Sequence, residues 1–361
     1  MKILIINTVP TEKNGITGVI FNYLKVMETN DMVFDLLSLN NPEHSYIDAI
    51  ESRGGSVYVL QRLDGALKYW VKLIKLINQN KYEIVHIHGN SHLLALELSA
   101  AYIAGNRIRI VHSHNTTCKH LRLHQLLTPL FKMLCTHALA CGREAGRWMF
   151  GKSNFSILNN GVDVEKYSFN EDVRNQVRAK HDWESCKVIG HVGMFIPAKN
   201  QKFIIELFKE LYRTDKTYRL LLIGDGYQKT EVEAEVKQLG LKKLVTFMGN
   251  VDNVSDYLSA IDVVVMPSLY EGLPLTLIEQ QANGLPCVVA DTITREADIT
   301  GNLKFLSLKA PVEKWIEAVI HEDGISREER SKKSIEDITK AGYNIKEQAK
   351  KLERFYLKCI Q

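Results

Sequence analysis

The sequence predicts an α/β protein made of two parallel-sheet domains. Three observations carry this. At 361 residues the chain is long enough for two cores. Short β-branched runs recur, each stopped by glycine or proline and followed by a segment with helical apolar spacing. A turn-rich stretch, Asn159-Asn-Gly-Val-Asp163, divides the halves, and Lys187-Val-Ile-Gly-His-Val-Gly193 then opens a fresh sheet.

In the first half, Ile3–Asn7 reads as a strand. A loop with Asn14-Gly15-Ile-Thr-Gly18 follows, then a helix through Val19, Ile20, Tyr23, Leu24 and Met27. The loop lacks the Gly-x-Gly-x-x-Gly spacing of a dinucleotide site, which excludes an NAD role. Ile84-Val-His-Ile-His-Gly89 and Arg109-Ile-Val-His-Ser-His-Asn-Thr116 are strands whose carboxyl ends carry histidine, placing polar groups on the sheet edge that holds the glycine loop. Between Lys119 and Ala140, leucines mix with basic residues in an amphipathic pattern broken at Pro129.

In the second half, the loop Met194–Asn200 leads into a helix through Phe203, Ile204, Leu207 and Leu211. Leu220–Gly226 and Val245–Asn250 are strands ending in glycine turns. Ile261–Pro267 is a buried strand, and Leu275, Leu277, Ile278, Gln281 and Ala282 form a helix that Gly284 and Pro286 end. A strand over Pro286–Ala290 completes a βαβ unit. Ligands of open α/β sheets bind at the carboxyl ends of strands, so the 267–275 turn is a predicted binding edge.

Two carboxylates frame that turn. Backbone N–H groups of residues 272 to 275, at the positive end of the helix, favour a phosphate by roughly 0.3–1 kcal/mol. Glu271 precedes them and would repel a phosphate it faced, so neutral sugar hydroxyls are its expected partner. Glu279 lies inside the helix, about 80° round from Glu271 if both were helical, so one helical face does not explain the pair. From different heights both can reach one ligand, and a carboxylate accepts both hydroxyls of a ribose diol.

The segment Ser268-Leu-Tyr-Glu-Gly-Leu-Pro-Leu-Thr-Leu-Ile-Glu279 resembles the Glu-x7-Glu motif of retaining glycosyltransferase family 4 (GT4). The resemblance runs over essentially the whole chain. It implies the GT-B fold: two Rossmann-like parallel-sheet domains facing a cleft, with a C-terminal helix crossing back to the first domain. The implied boundaries are an acceptor-binding domain over 1–165, a nucleotide-sugar-binding domain over 166–342 and a crossing helix over 343–361. The segments around His86, His88, His112 and His114 resemble the exopolysaccharide and capsule branch of the family.

Carried over residue by residue, the resemblance makes Glu271 the contact to the donor hexose and Glu279 the contact to the ribose. Gly272, Leu273, Pro274 and Leu275 then form the helix start beside the diphosphate. Lys199 is one of two cations gripping that diphosphate, and Gly224 and Asn250 border the nucleotide base. Gly15 matches the second of a glycine pair beside the donor, and His114 the catalytically placed histidine, with His112 as the alternative. Two positions depart: Asn14 stands where the first glycine is usual, and Met194 where the second cation, an arginine, is usual. Loss of that guanidinium removes a charge-assisted hydrogen bond of roughly 1.5–3 kcal/mol. The retained Glu271, Glu279, Gly15, His114 and Lys199 favour a compensated site. The alternative is a catalytically weak or inactive partner subunit that binds saccharide or nucleotide.

The expected activity is therefore a retaining, metal-independent hexosyltransferase with a nucleoside diphosphate sugar, UDP-linked, as donor substrate. It would act in exopolysaccharide or capsule synthesis, with a lipid-linked saccharide acceptor and no cofactor. No carboxylate pair suggests a metal site for this chemistry.

Composition adds a surface. Residues 1–165 hold 17 Lys+Arg against 13 Asp+Glu, so the whole +4 charge lies in the first half. From Leu98 to Arg143 there is no acid, but Arg107, Arg109, Lys119, Arg122, Lys132, Arg143 and five histidines. Near anionic lipid each basic group contributes about 1 kcal/mol, so peripheral membrane contact through 98–143 is expected. Nucleic acid is not, since no aromatic stacking run accompanies the charge. Six scattered cysteines without a Cys-x-x-Cys pair and the absence of an 18-residue apolar run suit a cytoplasmic protein, peripheral on the inner face of the membrane.

Overall fold

The computed structural model describes residues 1–28, 31–62, 65–321 and 324–361. The chain divides into two compact units, Met1–Gly161 with Ile345–Gln361, and Val162–Asn344.

The first unit alternates strand and helix: β1 Lys2–Asn7, α1 Gly15–Val26, β2 Val33–Ser38, α2 His44–Glu51, β3 Val57–Val59, α3 Ala66–Asn80, β4 Ile84–Gly89, α4 Ala95–Ile103 and β5 Ile108–Ser113. Two short helices follow, α5 Leu121–Leu126 and α6 Thr128–Leu134, then β6 His137–Ala140, α7 Arg143–Phe150 and β7 Ser156–Ile157. The seven strands are parallel in the order β3-β2-β1-β4-β5-β6-β7. Helices cover both faces, so the central strands are buried throughout and read as apolar runs.

The second unit runs α8 Glu171–Lys180, β8 Lys187–Val192, α9 Gln201–Thr214, β9 Tyr218–Ile223, α10 Lys229–Gln238, β10 Val245–Gly249, α11 Val254–Ala260, β11 Val263–Met266, α12 Leu275–Ala282, β12 Cys287–Ala290, β13 Leu303–Leu306, α13 Val312–Ile320 and α14 Arg327–Lys340. Its parallel sheet has the order β10-β9-β8-β11-β12-β13. In both sheets the order reverses beside the first strand of the unit, which opens a crevice at the carboxyl edge.

The last helix, α15 Ile345–Ile360, returns to the first unit. Its buried residues Ile345, Ala349, Leu352 and Tyr356 fall on one helical stripe, packed with Ile16, Val19, Ile20 and Tyr23 of α1. The Tyr23 hydroxyl donates to the Asn159 carbonyl at 2.6 Å, tying α1 to the segment that ends the first part of this unit.

Pro129 lies in the first turn of α6, so the amphipathic stretch is two helices. Its apolar residues divide: Phe131 and Leu134 are buried in the core and Leu127 packs against it. Leu121, Leu123, Leu126, Leu130 and Met133 are exposed, Leu126 by 74% and Met133 by 71%, beside exposed Lys119, Arg122 and Lys132. Among the described residues no helix is long and apolar enough to cross a membrane.

Candidate functional site

At the carboxyl end of β11 the chain leaves the sheet at Pro267 and enters α12 at Leu275. Backbone bonds hold the turn: Leu269 N–H donates to the Ala198 carbonyl at 2.7 Å, and the Thr292 hydroxyl to the Ser268 carbonyl at 2.6 Å. Gly284, at φ 72°, ends the helix in a conformation only glycine adopts freely.

The turn brings Glu271 against Lys199, which its own loop delivers from 72 positions earlier. The Lys199 ammonium is paired with the Glu271 carboxylate, both side chains mostly buried, and the Ser268 hydroxyl donates to the same carboxylate oxygen at 3.1 Å. Asn200 supports the lysine. It takes the left-handed conformation at φ 57° and donates its side-chain amide to the Pro267 carbonyl at 3.2 Å. Two groups assigned separately from sequence thus form one charge pair at the sheet edge.

Pro274 caps α12 without a side-chain hydrogen bond. Proline has no N–H, so the free donors of this end come from the residues around it, and the cap residue itself makes no side-chain bond to them. Glu279 lies one turn further in and is half-buried. Burial pushes its carboxyl up to about 7, against the opposing effects of the Tyr167 hydroxyl and the Lys166 ammonium. Tyr167 was not singled out from the sequence, because nothing near residue 167 signals its meeting with residue 279.

The loop after β8 is fixed onto the turn after β9. Phe195 N–H donates to the Asp225 carbonyl at 2.9 Å, and Gln201 donates its amide to the Met194 carbonyl at 2.8 Å. Gly224 permits this approach: at φ 136° an added Cβ would lie 2.1 Å from the Gly193 carbonyl oxygen. Met194 is 58% exposed, and Asn250, just after β10, is exposed at the same edge. Lys229 approaches Asp225 at 3.8 Å.

In the first unit Gly15 is the first residue of α1 and is exposed, with open space where a Cβ would be. Asn14, the residue in the unusual place, is the helix cap: its side-chain oxygen accepts from Thr17 N–H at 3.0 Å. Glycine could not do this. Below it, Asn7 donates to the Thr11 and Thr17 hydroxyls at 3.2 and 3.1 Å.

His114 follows β5. Its Nε2 meets His88 Nδ1 at 2.9 Å, and its backbone N–H donates to Asn90 at 3.1 Å. Burial pushes the imidazole down to about 3. His86 is likewise pushed to about 3 by burial, then by His114, and its Nδ1 meets the Tyr356 hydroxyl at 2.6 Å. His88 and His112 are directly paired across β4 and β5 and are both held well below the ordinary imidazole range, chiefly by burial.

A cavity of about 340 Å³ opens at the opposite edge of the second sheet, beside Lys187, Tyr218 and Val263. Its Arg174 is paired with Asp262, and its Arg327 donates to the carbonyls of Leu258, Ile261 and Asn283. These guanidiniums close helix ends and carry no sign of a ligand site.

With this geometry in place, likeness to known proteins can be weighed. Residues 173–337 match the family described as glycosyl transferases group 1. The protein EpsF of Bacillus subtilis, provisionally assigned as a glycosyltransferase, is 32% identical over 334 residues, covering 88% of this chain and 87% of its own. The chain belongs to the group 1 glycosyltransferases. An Escherichia coli galactosyltransferase named for a GlcNAc-diphosphoundecaprenol acceptor is 29% identical over 244 residues, 62% of each chain. Among solved structures, HepE of Anabaena with bound UDP superposes with a TM-score of 0.80 over 99% of this chain and 100% of its own, at 16% identity. The group 1 glycosyltransferase described here has the two parallel-sheet units of the GT-B fold.

Proposed function

We propose that this glycosyltransferase moves a hexose or N-acetylhexosamine from a nucleoside diphosphate sugar, UDP-linked, to a lipid-linked saccharide during exopolysaccharide or capsule synthesis. In this reading the second unit holds the donor and the first the acceptor. The observation that carries it is the Glu271–Lys199 pair at the carboxyl end of β11, beside an uncapped helix start and the half-buried Glu279. The HepE structures with UDP and with UDP-glucose, and the diphosphoundecaprenol acceptor in the name of the E. coli relative, support the donor and acceptor classes.

The chemistry follows from the groups. The α12 start and Lys199 take the charge of the leaving diphosphate, which supplies its neutralisation without a metal or cofactor. Glu271 accepts from hexose hydroxyls and fixes the sugar while it holds Lys199 in place. Glu279 accepts from the ribose diol, and Gly224 and Asn250 border the base. Gly15 leaves the α1 start open to close approach, and His114 is the catalytically placed histidine. Attack from the face that the diphosphate leaves retains the anomeric configuration, and positioning supplies much of the rate.

The exposed Leu121, Leu123, Leu126, Leu130 and Met133, with exposed Lys119, Arg122 and Lys132 in the same segment, offer a surface to an anionic membrane. We assign the protein to the cytoplasm, peripheral on the inner face of the membrane, where a lipid-linked acceptor is presented.

The test is a panel of nucleotide sugars with the purified chain, read by thermal shift and by product analysis. A UDP-sugar should stabilise the protein and be consumed with a lipid-linked acceptor. Glu271→Ala should abolish transfer while nucleotide still binds, and Glu279→Ala should mainly weaken nucleotide binding. No shift and no turnover with any UDP-, GDP- or ADP-sugar would refute the reading.

A further inference from the structure

The proposed transfer leaves a group of side chains on the other side of His88 unexplained. Strand periodicity puts His86 and His88 on one face of β4, and the β4–β5 register sets His112 directly beside His88. Ring centroids lie 4.3 Å apart for His86 and His88, 5.1 Å for His88 and His112, and 5.6 Å for His86 and His112. One nitrogen from each of the three rings falls in a set no more than 4.8 Å across.

These rings are buried, and their polar atoms are not used up. Among the described residues, His86 Nε2 and both ring nitrogens of His112 lack a hydrogen-bond partner. The Leu158 backbone is near enough to His112 to favour its protonated form, yet makes no well-formed bond to it. Buried nitrogens without partners are rare in folded proteins, and an ion is one of the few things that satisfies several at once. A cavity of about 10 Å³ lies against the same three histidines, closed by Tyr23, Tyr356, Phe34 and Leu352. It is the size of one small occupant.

We propose that His86, His88 and His112 form a binding site for a single late first-row divalent transition ion, with Zn²⁺ as the representative case. Imidazole suits such ions, whereas Mg²⁺ and Ca²⁺ require several oxygen ligands, and the two side-chain oxygens that line this pocket, the Tyr23 and Tyr356 hydroxyls, are engaged with Asn159 and His86. A ligating histidine keeps its other nitrogen on an outer partner, and two of the three have one: His86 Nδ1 meets the Tyr356 hydroxyl at 2.6 Å, and His88 Nδ1 meets His114 Nε2 at 2.9 Å. With these nitrogens engaged, Nε2 of His86 and of His88 is left for the ion, and His112 offers either ring nitrogen. Zinc–nitrogen bonds are about 2.0–2.1 Å, so closing the set needs ring movements of about 1 Å. No carboxylate among the described residues lines the pocket; a water that enters with the ion takes the fourth position and releases one proton to solvent, the hydroxide left behind bringing negative charge and the same ring movements making room for it. Through His88 the ion sets the orientation of His114.

The experiment uses the full chain, stripped with a chelator and titrated with Zn²⁺ and Co²⁺ without any substrate. One Zn²⁺ per chain should bind in competition with a chromophoric chelator and raise the melting temperature, and Mg²⁺ should do neither. His86→Gln and His112→Gln should each weaken Zn²⁺ by at least about tenfold, whereas His44→Gln on the exposed start of α2 should not. If those variants do not fold, Co²⁺ on the unaltered chain decides: the intense absorption of a four-coordinate site supports the proposal. The pale spectrum of a six-coordinate site, or no binding, overturns it. So does Zn²⁺ binding that survives undiminished in a folded His86→Gln, His112→Gln double variant.

Discussion

The Lys199 ammonium rests on the Glu271 carboxylate, and the Ser268 hydroxyl donates to the same oxygen at 3.1 Å. Without a ligand each neutralises the other. In the proposed reading, a diphosphate arriving beside the helix start would pull the lysine toward itself and free the carboxylate for hydroxyls, so that one ion pair would serve both halves of a nucleotide sugar.

Lys199→Met should therefore damage two functions at once. It removes a charge-assisted hydrogen bond to phosphate, roughly 1.5–3 kcal/mol, and leaves Glu271 as an uncompensated carboxylate near the same anion. Affinity for UDP should fall by about ten- to a hundredfold in calorimetry. The double variant Lys199→Met, Glu271→Gln should recover part of that binding without recovering transfer. A single variant that binds UDP as tightly as the parent would show that Lys199 does not contact the diphosphate.

Glu279 gives the site a pH dependence. Its carboxyl is raised to about 7 from an ordinary 4.5, so between those values the folded chain holds a proton that the unfolded chain releases. Stability from this group is accordingly greatest at low pH and falls as pH rises through that window. Ionisation creates the better acceptor for a ribose diol, so affinity for a UDP-sugar, whose phosphates do not titrate near neutrality, should rise from about pH 6 to about pH 8. Glu279→Gln should flatten both trends. Parallel pH profiles for variant and parent would remove Glu279 from the ribose contact.

How much of this was visible in the sequence depends on distance along the chain. The boundaries of α12 were legible because Pro274 and Gly284 each impose a local backbone geometry. Strand ends at His88–Gly89 and at Pro267 were legible for the same reason. The strand over Val33–Ser38 was not read: it carries the buried Asp35, which reads as polar until its partners, the Tyr82 hydroxyl at 2.6 Å and the Ser56 N–H at 2.8 Å, are known. In the site, residue types were readable and their pairings were not. Nothing local to Lys199 specifies Glu271, and nothing local to Glu279 specifies Tyr167. The charge of the 98–143 segment was likewise plain, whereas the exposure of its leucines depends on how α5 and α6 pack.

That exposed face makes a prediction of its own. Leu126 and Met133 are exposed in the same segment as exposed Lys119, Arg122 and Lys132, so insertion and charge should act together. The protein should sediment with liposomes containing anionic lipid and much less with neutral ones. Replacing Lys119, Arg122 and Lys132 by Glu should abolish sedimentation, and Leu126→Ser with Met133→Ser should weaken it at all salt concentrations. With each basic group contributing about 1 kcal/mol, the triple reversal should cost at least two orders of magnitude in partitioning. Unchanged sedimentation would make this face unrelated to membrane.

Met194 offers the converse test, a gain. Its backbone is held on both sides, by Gly193 N–H to the Ile223 carbonyl and by Phe195 N–H to the Asp225 carbonyl, each at 2.9 Å. Its side chain is 58% exposed, so an arginine fits without repacking. Among the described residues, two cations of the second unit's carboxyl edge are already engaged: Lys199 is paired with Glu271, and Lys229 approaches Asp225 at 3.8 Å. A guanidinium at 194 would add a planar donor pair suited to phosphate oxygens. Met194→Arg should tighten UDP by about tenfold, the equivalent of about 1.4 kcal/mol, with little change in melting temperature in the absence of nucleotide. If affinity stays where it was, another cation already serves the diphosphate and the methionine marks a rearranged clamp rather than a weakened one.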